Sequence, residues 1–255
     1  MQYQLSRMVA GPFLRMLVRP TVIGAEHIPP SGPAILASNH LSIIDSIYLP
    51  LMVERPVTFA AKSEYFTGTR PQDRAVAAYL RATNQLSTDR AGARAAQEML
   101  EAALELLRSG QLFGIYPEGT RSPDGRLYRG RTGVGYLALH SGAPVIPVAM
   151  VGTEKILPPG HRIPKPGKIE IRIGEPLEFT EFRGQTAGAR QRRAVTDEVV
   201  RSIQKLSGQE FVPMYASARK EELAADRPAN HGSADASRTT TASDSSAASD
   251  SSAAS

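Results

Sequence analysis

The sequence predicts an α/β fold in which a mixed, largely parallel sheet is flanked by helices. Short apolar runs at residues 33–38, 57–61, 112–116 and 144–151 have the length and composition of buried strands. Longer segments with helical periodicity lie between them, an alternation typical of a sheet with helices on its faces. In residues 169–173, isoleucines alternate with charged residues, which predicts a further strand with one buried face.

The helices are predicted from apolar residues that return at helical spacing. They cover residues 44–53, 71–81, 92–109 and 132–141, and a further helix carries Val195, Val199, Ile203 and Leu206 on one face. Gly110 and Gly142 stand where two of these helices should end.

The composition divides the chain into three parts. Residues 1–19 form a modestly amphipathic segment, residues 20–228 hold the predicted sheet and helices, and residues 229–255 are mostly Ser, Ala, Thr and Asp. The last part lacks the large apolar side chains that offset ordering entropy, so we expect a disordered tail. The first part fits either a helix in a membrane interface or an ordinary core-packing helix.

The charge and the missing residue types limit the classes of partner and chemistry. The chain has no cysteine, which excludes disulfides and thiolate nucleophiles. The net charge is +5, and because residues 228–255 hold three aspartates and one arginine, residues 1–227 carry +7. A basic body indicates nucleic acid, an anionic bilayer or a phosphorylated substrate as partner, unless it is simply a solvated surface. No apolar run approaches the roughly 20 residues that span a bilayer, and no signal peptide is recognised.

His40 and Asp45 lie where a predicted strand passes into a predicted helix. Five residues apart, their side chains meet neither in a regular helix nor in an extended strand, so they can meet only across a turn. Asp45 would then lie in the first helical turn and fix the imidazole tautomer, which makes the other ring nitrogen a general base. The alternative is a structural histidine beside a helix-capping aspartate.

A second polar motif follows the predicted strand at 112–116 and reads Tyr116-Pro117-Glu118-Gly119-Thr120-Arg121-Ser122. The guanidinium of Arg121 suits a phosphate, hydroxyl groups beside it can donate, and Gly119 permits close backbone approach. A carboxylate repels phosphate, so Glu118 could instead hold Arg121 or accept from a substrate hydroxyl. An ordinary polar turn with a Glu–Arg surface pair is the alternative.

Four blocks in order resemble the glycerolipid acyltransferase family, whose best-known members are the 1-acyl-sn-glycerol-3-phosphate acyltransferases. The blocks are Asn39-His40-Leu41-Ser42-Ile43-Ile44-Asp45, Ala61-Lys62-Ser63-Glu64, the heptad 116–122, and Val145-Ile146-Pro147-Val148. The likeness extends over residues 20–174, and the conjunction of blocks is specific although no single block is.

The resemblance implies roles for individual residues. His40 would be the general base that deprotonates the acceptor hydroxyl, Asp45 would orient it, and the hydroxyl would attack an acyl thioester directly, without an acyl-enzyme. The implied substrate-binding residues are Glu118, Gly119, Thr120 and Arg121, with Lys62 and Arg90 as further candidates for phosphate or oxyanion contacts.

The implied reaction of phospholipid biosynthesis moves a fatty acyl group from acyl-CoA or acyl-carrier protein to lysophosphatidic acid, giving phosphatidic acid. No separate cofactor is implied, and we expect peripheral attachment at the cytoplasmic face of an anionic membrane, without a transmembrane helix. Residues 63–72 and 82–85 depart from the family's pattern, which leaves another lysophospholipid or a modified lipid open as the acceptor.

Other functional classes fit the sequence less well. A non-catalytic membrane-binding module would not need both His40 and Asp45, and the Gly-x-Ser-x-Gly pattern of serine hydrolases is absent. No nucleic-acid-binding module is recognised and only 6% of residues are aromatic, so nucleic acid is not expected as a partner. The five histidines lack ligand-like spacing, so no metal site is predicted.

Overall fold

The computed structural model describes residues 18–67, 71–82, 85–88, 92–158, 161, 163–182 and 187–226. Most of the predicted amphipathic segment, the predicted tail and the candidate residue Arg90 lie outside these ranges. What the sequence implies for them stays a prediction.

The elements follow the predicted alternation, with predicted ends shifted by one or two residues in most cases. In the described residues the strands are β1 (Val18–Ile23), β2 (Ala34–Ser38), β3 (Val57–Lys62), β4 (Leu86–Thr88), β5 (Leu112–Ile115), β6 (Leu127–Tyr128), β7 (Val145–Val151), β8 (Gly167–Ile173) and β9 (Phe211–Val212). The α-helices there are α1 (Asp45–Met52), α2 (Glu64–Thr67), α3 (Pro71–Ala82), α4 (Ala93–Arg108), α5 (Gly133–Ser141), α6 (Thr153–Ile156), α7 (Ala189–Ser207) and α8 (Ala216–Ala225). Short 3-10 turns lie at Ala25–His27 and Thr180–Phe182. The elements that the sequence did not predict, such as β4, β9 and α8, are short or lack a clear apolar period.

Seven of these strands form one sheet in the order β1-β8-β7-β2-β5-β3-β4. Every neighbouring pair is parallel except β7 and β8, which run antiparallel. The predicted mixed, largely parallel α/β sheet is therefore confirmed. Because β7, β2, β5, β3 and β4 all point the same way, the loops that follow them meet at one edge, where α/β proteins place their ligands.

The first strand begins inside the predicted amphipathic segment. The sequence assigned Val18 and Arg19 to the amphipathic segment 1–19, whereas both belong to β1, which pairs in parallel with β8 over its whole length. Val18 is completely buried, so backbone pairing with β8 and the core packing of Val18 hold these two residues in the sheet. The limit drawn before residue 20 thus lies within the span of β1, and the domain limits stay predictions.

Two hydrophobic clusters cover the two faces of the sheet. On one face α1 contributes Tyr48, and on the other α4 and α5 contribute Leu107 and Leu137. Because strand side chains alternate between faces, the adjacent Ile35 and Leu36 of β2 lie in different clusters. This packing on both faces fixes the ends of β2 and β5, from which the two polar motifs emerge.

Candidate active site

The turn between β2 and α1 brings His40 and Asp45 together. His40 follows β2, and Asp45 is the first residue of α1. Nδ1 of His40 lies 2.9 Å from Oδ2 of Asp45, and the two side chains are 13% and 0% exposed. The structure therefore contains the contact expected at a strand–turn–helix junction, with the opposite ring nitrogen, Nε2, on the far side from Asp45.

The carboxylate of Asp45 also holds the turn in shape. Its Oδ2 accepts the backbone N–H groups of Leu41 and Ser42 at 2.7 and 2.8 Å. The other oxygen, Oδ1, is buried and has no hydrogen-bond partner among the described residues. The buried carboxylate is thus in direct contact with the imidazole, where it can hold the ring in one tautomer and one orientation.

An aromatic stack holds the imidazole from one face. The ring centroids of His40 and Tyr116 are 3.9 Å apart with planes 11° from parallel, and Phe59 stacks on Tyr116 at 5.2 Å. The hydroxyl of Tyr116 lies 3.0 Å from Oγ of Ser46. The sequence placed Tyr116 in the polar heptad but held no signal for this contact, which arises because β2 and β5 end side by side.

The heptad 116–122 forms a turn against the His40 loop. The N–H of Ser122 donates to the carbonyl oxygen of His40 at 2.7 Å, and the N–H of Gly119 donates to the carbonyl of Tyr116 at 2.9 Å. Gly119 has φ +72°, and a Cβ there would lie 2.9 Å from Cδ of Arg131. The left-handed backbone favours glycine at this position, and a Cβ would also force the side chain of Arg131 to shift.

The side chain of Glu118 is buried beneath this turn. Its Oε1 accepts the backbone N–H of His40 at 3.2 Å and its Oε2 accepts that of Tyr128 at 3.0 Å. The residue is 2% exposed. Burial raises the pKa of Glu118 to about 8, against the lowering effect of the two backbone hydrogen bonds. The carboxyl group therefore joins the His40 loop to the loop after the heptad.

The remaining predicted binding residues are Thr120, Arg121, Lys62 and Arg90. Thr120 accepts a hydrogen bond from Nζ of Lys220 at 2.6 Å. Among the residues that the structure describes, the half-buried Arg121 has no hydrogen-bond or ion-pair partner for its guanidinium. Lys62 ends β3, so its backbone lies at the same edge, whereas Arg90 lies outside the described ranges. In those ranges no group of acidic and histidine side chains is placed to hold a metal ion.

Two residues that the sequence reading missed also reach the site. Gln209 accepts a hydrogen bond from Nδ2 of Asn39 at 2.7 Å and donates to the carbonyl of Gly125 at 2.6 Å. Lys220 of α8 contacts Thr120 in the heptad. A single glutamine or lysine carries no spacing pattern, so only the tertiary contacts reveal them.

Comparisons with known proteins show which proteins this chain is similar to. The family model described as Acyltransferase matches residues 19–151, slightly more than half of the chain. The chain is 31% identical over 156 residues to the 1-acyl-sn-glycerol-3-phosphate acyltransferase BAT2, chloroplastic, of Brassica napus, covering 60% of this chain and 44% of that protein. It is 28% identical over 163 residues to the 1-acyl-sn-glycerol-3-phosphate acyltransferase of Bacillus subtilis (strain 168), covering 63% and 75%.

A solved structure matches over most of both chains. The crystal structure of the 1-acyl-sn-glycerophosphate (LPA) acyltransferase PlsC from Thermotoga maritima aligns with a TM-score of 0.61 and 29% identity, covering 80% of this chain and 79% of that chain. The chain spans less than half the length of the Brassica relative. The region matched by the family model contains His40, Asp45 and the whole heptad. The chain therefore belongs to the acyltransferase family.

Proposed function

We propose that this protein is a 1-acyl-sn-glycerol-3-phosphate acyltransferase, which converts lysophosphatidic acid to phosphatidic acid with acyl-CoA or acyl-carrier protein as donor. One observation carries the proposal: the His40–Asp45 pair, 2.9 Å apart, adjoins the heptad that holds Arg121. An acid–base pair beside a cation suits a substrate that carries both a hydroxyl and a phosphate. Family membership and the names of the relatives support the same activity.

In this mechanism His40 is the general base. Because Asp45 holds Nδ1, the opposite nitrogen Nε2 takes the proton from the acceptor hydroxyl. The hydroxyl oxygen then bonds to the thioester carbonyl carbon, the C–S bond breaks, and the proton passes from Nε2 to the departing thiolate. The buried carboxylate of Asp45 stabilises the imidazolium between these steps.

The phosphate of the acceptor binds at the heptad turn. Arg121 supplies a guanidinium that can fork onto two phosphate oxygens, and Gly119 lets the backbone approach. We assign Glu118 to positioning the His40 loop rather than to the phosphate, because both its oxygens already accept backbone N–H groups. Lys62 and Arg90 stay candidates for a contact to the phosphate or to the oxyanion.

A matched pair of histidine variants tests the proton chemistry. His40→Ala should reduce turnover of lysophosphatidic acid by about 100-fold or more, the usual contribution of a general base. His140→Ala is the control, because His140 is exposed near the end of α5 and its Nδ1 contacts the carbonyl oxygen of Tyr136 on the same helix. Turnover by His40→Ala at the wild-type rate would refute the mechanism.

Arginine variants and product analysis test the substrates. Arg121→Ala should raise the KM for lysophosphatidic acid without raising that for the donor, whereas the exposed Arg108→Ala should change neither. Mass spectrometry after incubation with mixed lysophospholipids, with acyl-CoA and with acyl-carrier protein in turn, identifies acceptor and donor. Residues 63–72 and 82–85 depart from the family pattern. A product other than phosphatidic acid would therefore identify a different lipid as the acceptor, and the proposed acyl transfer would still hold.

We also propose peripheral attachment to an anionic membrane, at its cytoplasmic face. The net charge of +7 on residues 1–227 and the amphiphilic character of the substrate support this attachment. Within the described ranges, no helix combines the length and the apolar character that crossing a membrane requires. The protein should float with vesicles that contain anionic lipid and dissociate as salt is raised, and equal binding to uncharged vesicles would contradict the electrostatic part.

A further inference from the structure

The chain after α7 returns to the heptad turn through residues 209–225, called here the C-terminal strap. Gln209 at its start bonds to Asn39 and to Gly125. Strand β9 then pairs in parallel with β6, and the N–H of Arg129 donates to the carbonyl of Met214 at 2.9 Å. The strap lies beyond the region matched by the family model, yet backbone and side-chain hydrogen bonds join it to the candidate active site.

The first turn of α8 packs against the loop that holds Arg129 and Arg131, which follows the heptad. The guanidinium groups of Arg129 and Arg131 lie 5.7 and 5.3 Å from the ring centroid of Tyr215. Arg131 also donates from Nη2 to Oγ of Ser217 at 3.2 Å, and its stem packs against Gly119. Cation–π contacts and this hydrogen bond thus fix the start of α8 beside the turn of the heptad.

One turn further along α8, Lys220 extends to the heptad itself. Its Nζ donates to Oγ1 of Thr120 at 2.6 Å in a partly buried position. Its charge acts on Glu118, where it opposes the rise in the pKa of that carboxyl group. The ammonium group of Lys220 therefore lies at the heptad turn, in contact with Thr120, the residue before Arg121.

We propose that Lys220 is a second phosphate-binding residue of the acceptor site, so that the C-terminal strap completes the site formed by Thr120 and Arg121. This inference rests on the proposed function. A phosphate monoester carries between one and two negative charges at neutral pH, more than a single guanidinium balances. An ammonium is a compact point charge with three donors, and it complements the planar fork of an arginine.

Calorimetric binding of glycerol 3-phosphate, a probe of the headgroup alone, tests the inference together with steady-state kinetics. Lys220→Met keeps the apolar stem and removes the charge, so the affinity for the probe should fall about tenfold and the KM for lysophosphatidic acid should rise to match. The KM for the acyl donor should not change. Lys220→Arg should restore most of the affinity. Lys205→Met, which removes an exposed cation from the end of α7, should leave all these values unchanged.

Each outcome bears on the inference. Wild-type affinity and KM in Lys220→Met would overturn it, and so would a wild-type protein that does not bind the probe. A purely structural lysine would instead lower Tm and the turnover number without a selective change in the acceptor KM, which would also overturn it. If the probe binds through Lys220 but no lysophospholipid is acylated, the anion site stands and the proposed function fails.

Discussion

The imidazole of His40 lies face to face on the phenol ring of Tyr116, with the ring centroids 3.9 Å apart. Asp45 restrains the same imidazole within its plane through Nδ1. One contact limits tilting of the ring and the other limits its rotation, so together they define the direction in which Nε2 points. Tyr116 is itself backed by Phe59, which makes this aromatic stack part of the hydrophobic core.

Replacing the stacking ring should lower the rate without removing the base. Tyr116→Leu should reduce kcat about 3- to 10-fold, because an aromatic pair contributes about 0.5–1.5 kcal/mol and the imidazole loses orientation with it. Tyr116→Phe keeps the stack and removes the hydroxyl that contacts Ser46, so it should retain most of the activity. Equal kcat values for Tyr116→Leu and the wild type, measured with lysophosphatidic acid, would show that the stack has no positioning role.

Removing the charge of Asp45 should lower the catalytic rate and leave the fold intact. In Asp45→Asn the amide oxygen can still accept from the N–H groups of Leu41 and Ser42, so the turn should persist. The imidazolium loses its counter-charge, and kcat should fall by about 100-fold or more. The control Asp197→Asn removes a carboxylate paired with Arg193 on α7. Circular dichroism should show intact folding, and a fully active Asp45→Asn protein would contradict the assigned role.

Burial of Glu118 should make the stability of the protein depend on pH. Its pKa is about 8 in the folded protein, above the ordinary value of 4.5. Between these two values the folded protein holds a proton that the unfolded chain releases, so the free energy of unfolding falls as pH rises from about 4.5 to about 8. The expected loss across this window is on the order of a few kcal/mol.

Glu118→Gln removes this titrating group, and it tests whether the free energy of unfolding falls as pH rises. Urea unfolding of both proteins between pH 5 and pH 8 should show a smaller decline of stability in the variant. Parallel curves would mean that Glu118 does not titrate in this range. Because glutamine offers one acceptor oxygen where the carboxyl group bonds to both His40 and Tyr128, the variant should also be less stable at pH 5.

A glycine contact between α5 and α7 supplies a test of the packing. A Cβ on Gly135 would lie 2.2 Å from the backbone carbonyl oxygen of Arg192 and 2.9 Å from Oγ1 of Thr196. Gly135→Ala should therefore destabilise the protein by about 1–3 kcal/mol through overpacking. Gly133→Ala is the matched control on the same helix, since its nearest neighbour is the flexible end of Leu100 at 3.4 Å. Equal unfolding midpoints in urea would contradict the close contact.

Local patterns in the sequence were sufficient for most of the architecture. Strands β2, β3 and β7 could be predicted because buried strands are short and apolar, and α4, α5 and α7 because their apolar residues return at helical spacing. The meeting of His40 with Asp45 followed from their spacing at a strand–helix junction. All these features depend on residues that are close together in the chain.

The tertiary structure alone decided which distant residues complete the site. Tyr116 and Glu118 reach His40 because β2 and β5 are neighbours in the sheet, and strand order is not encoded in the period of any one strand. Lys220 reaches Thr120 because β9 pairs with β6 and seats α8 beside the heptad. The sequence by itself determined the His40–Asp45 pair and the strand and helix on either side of it, since these features are local. The partners of that pair depend on how separate elements pack, and only the folded chain brings them into contact.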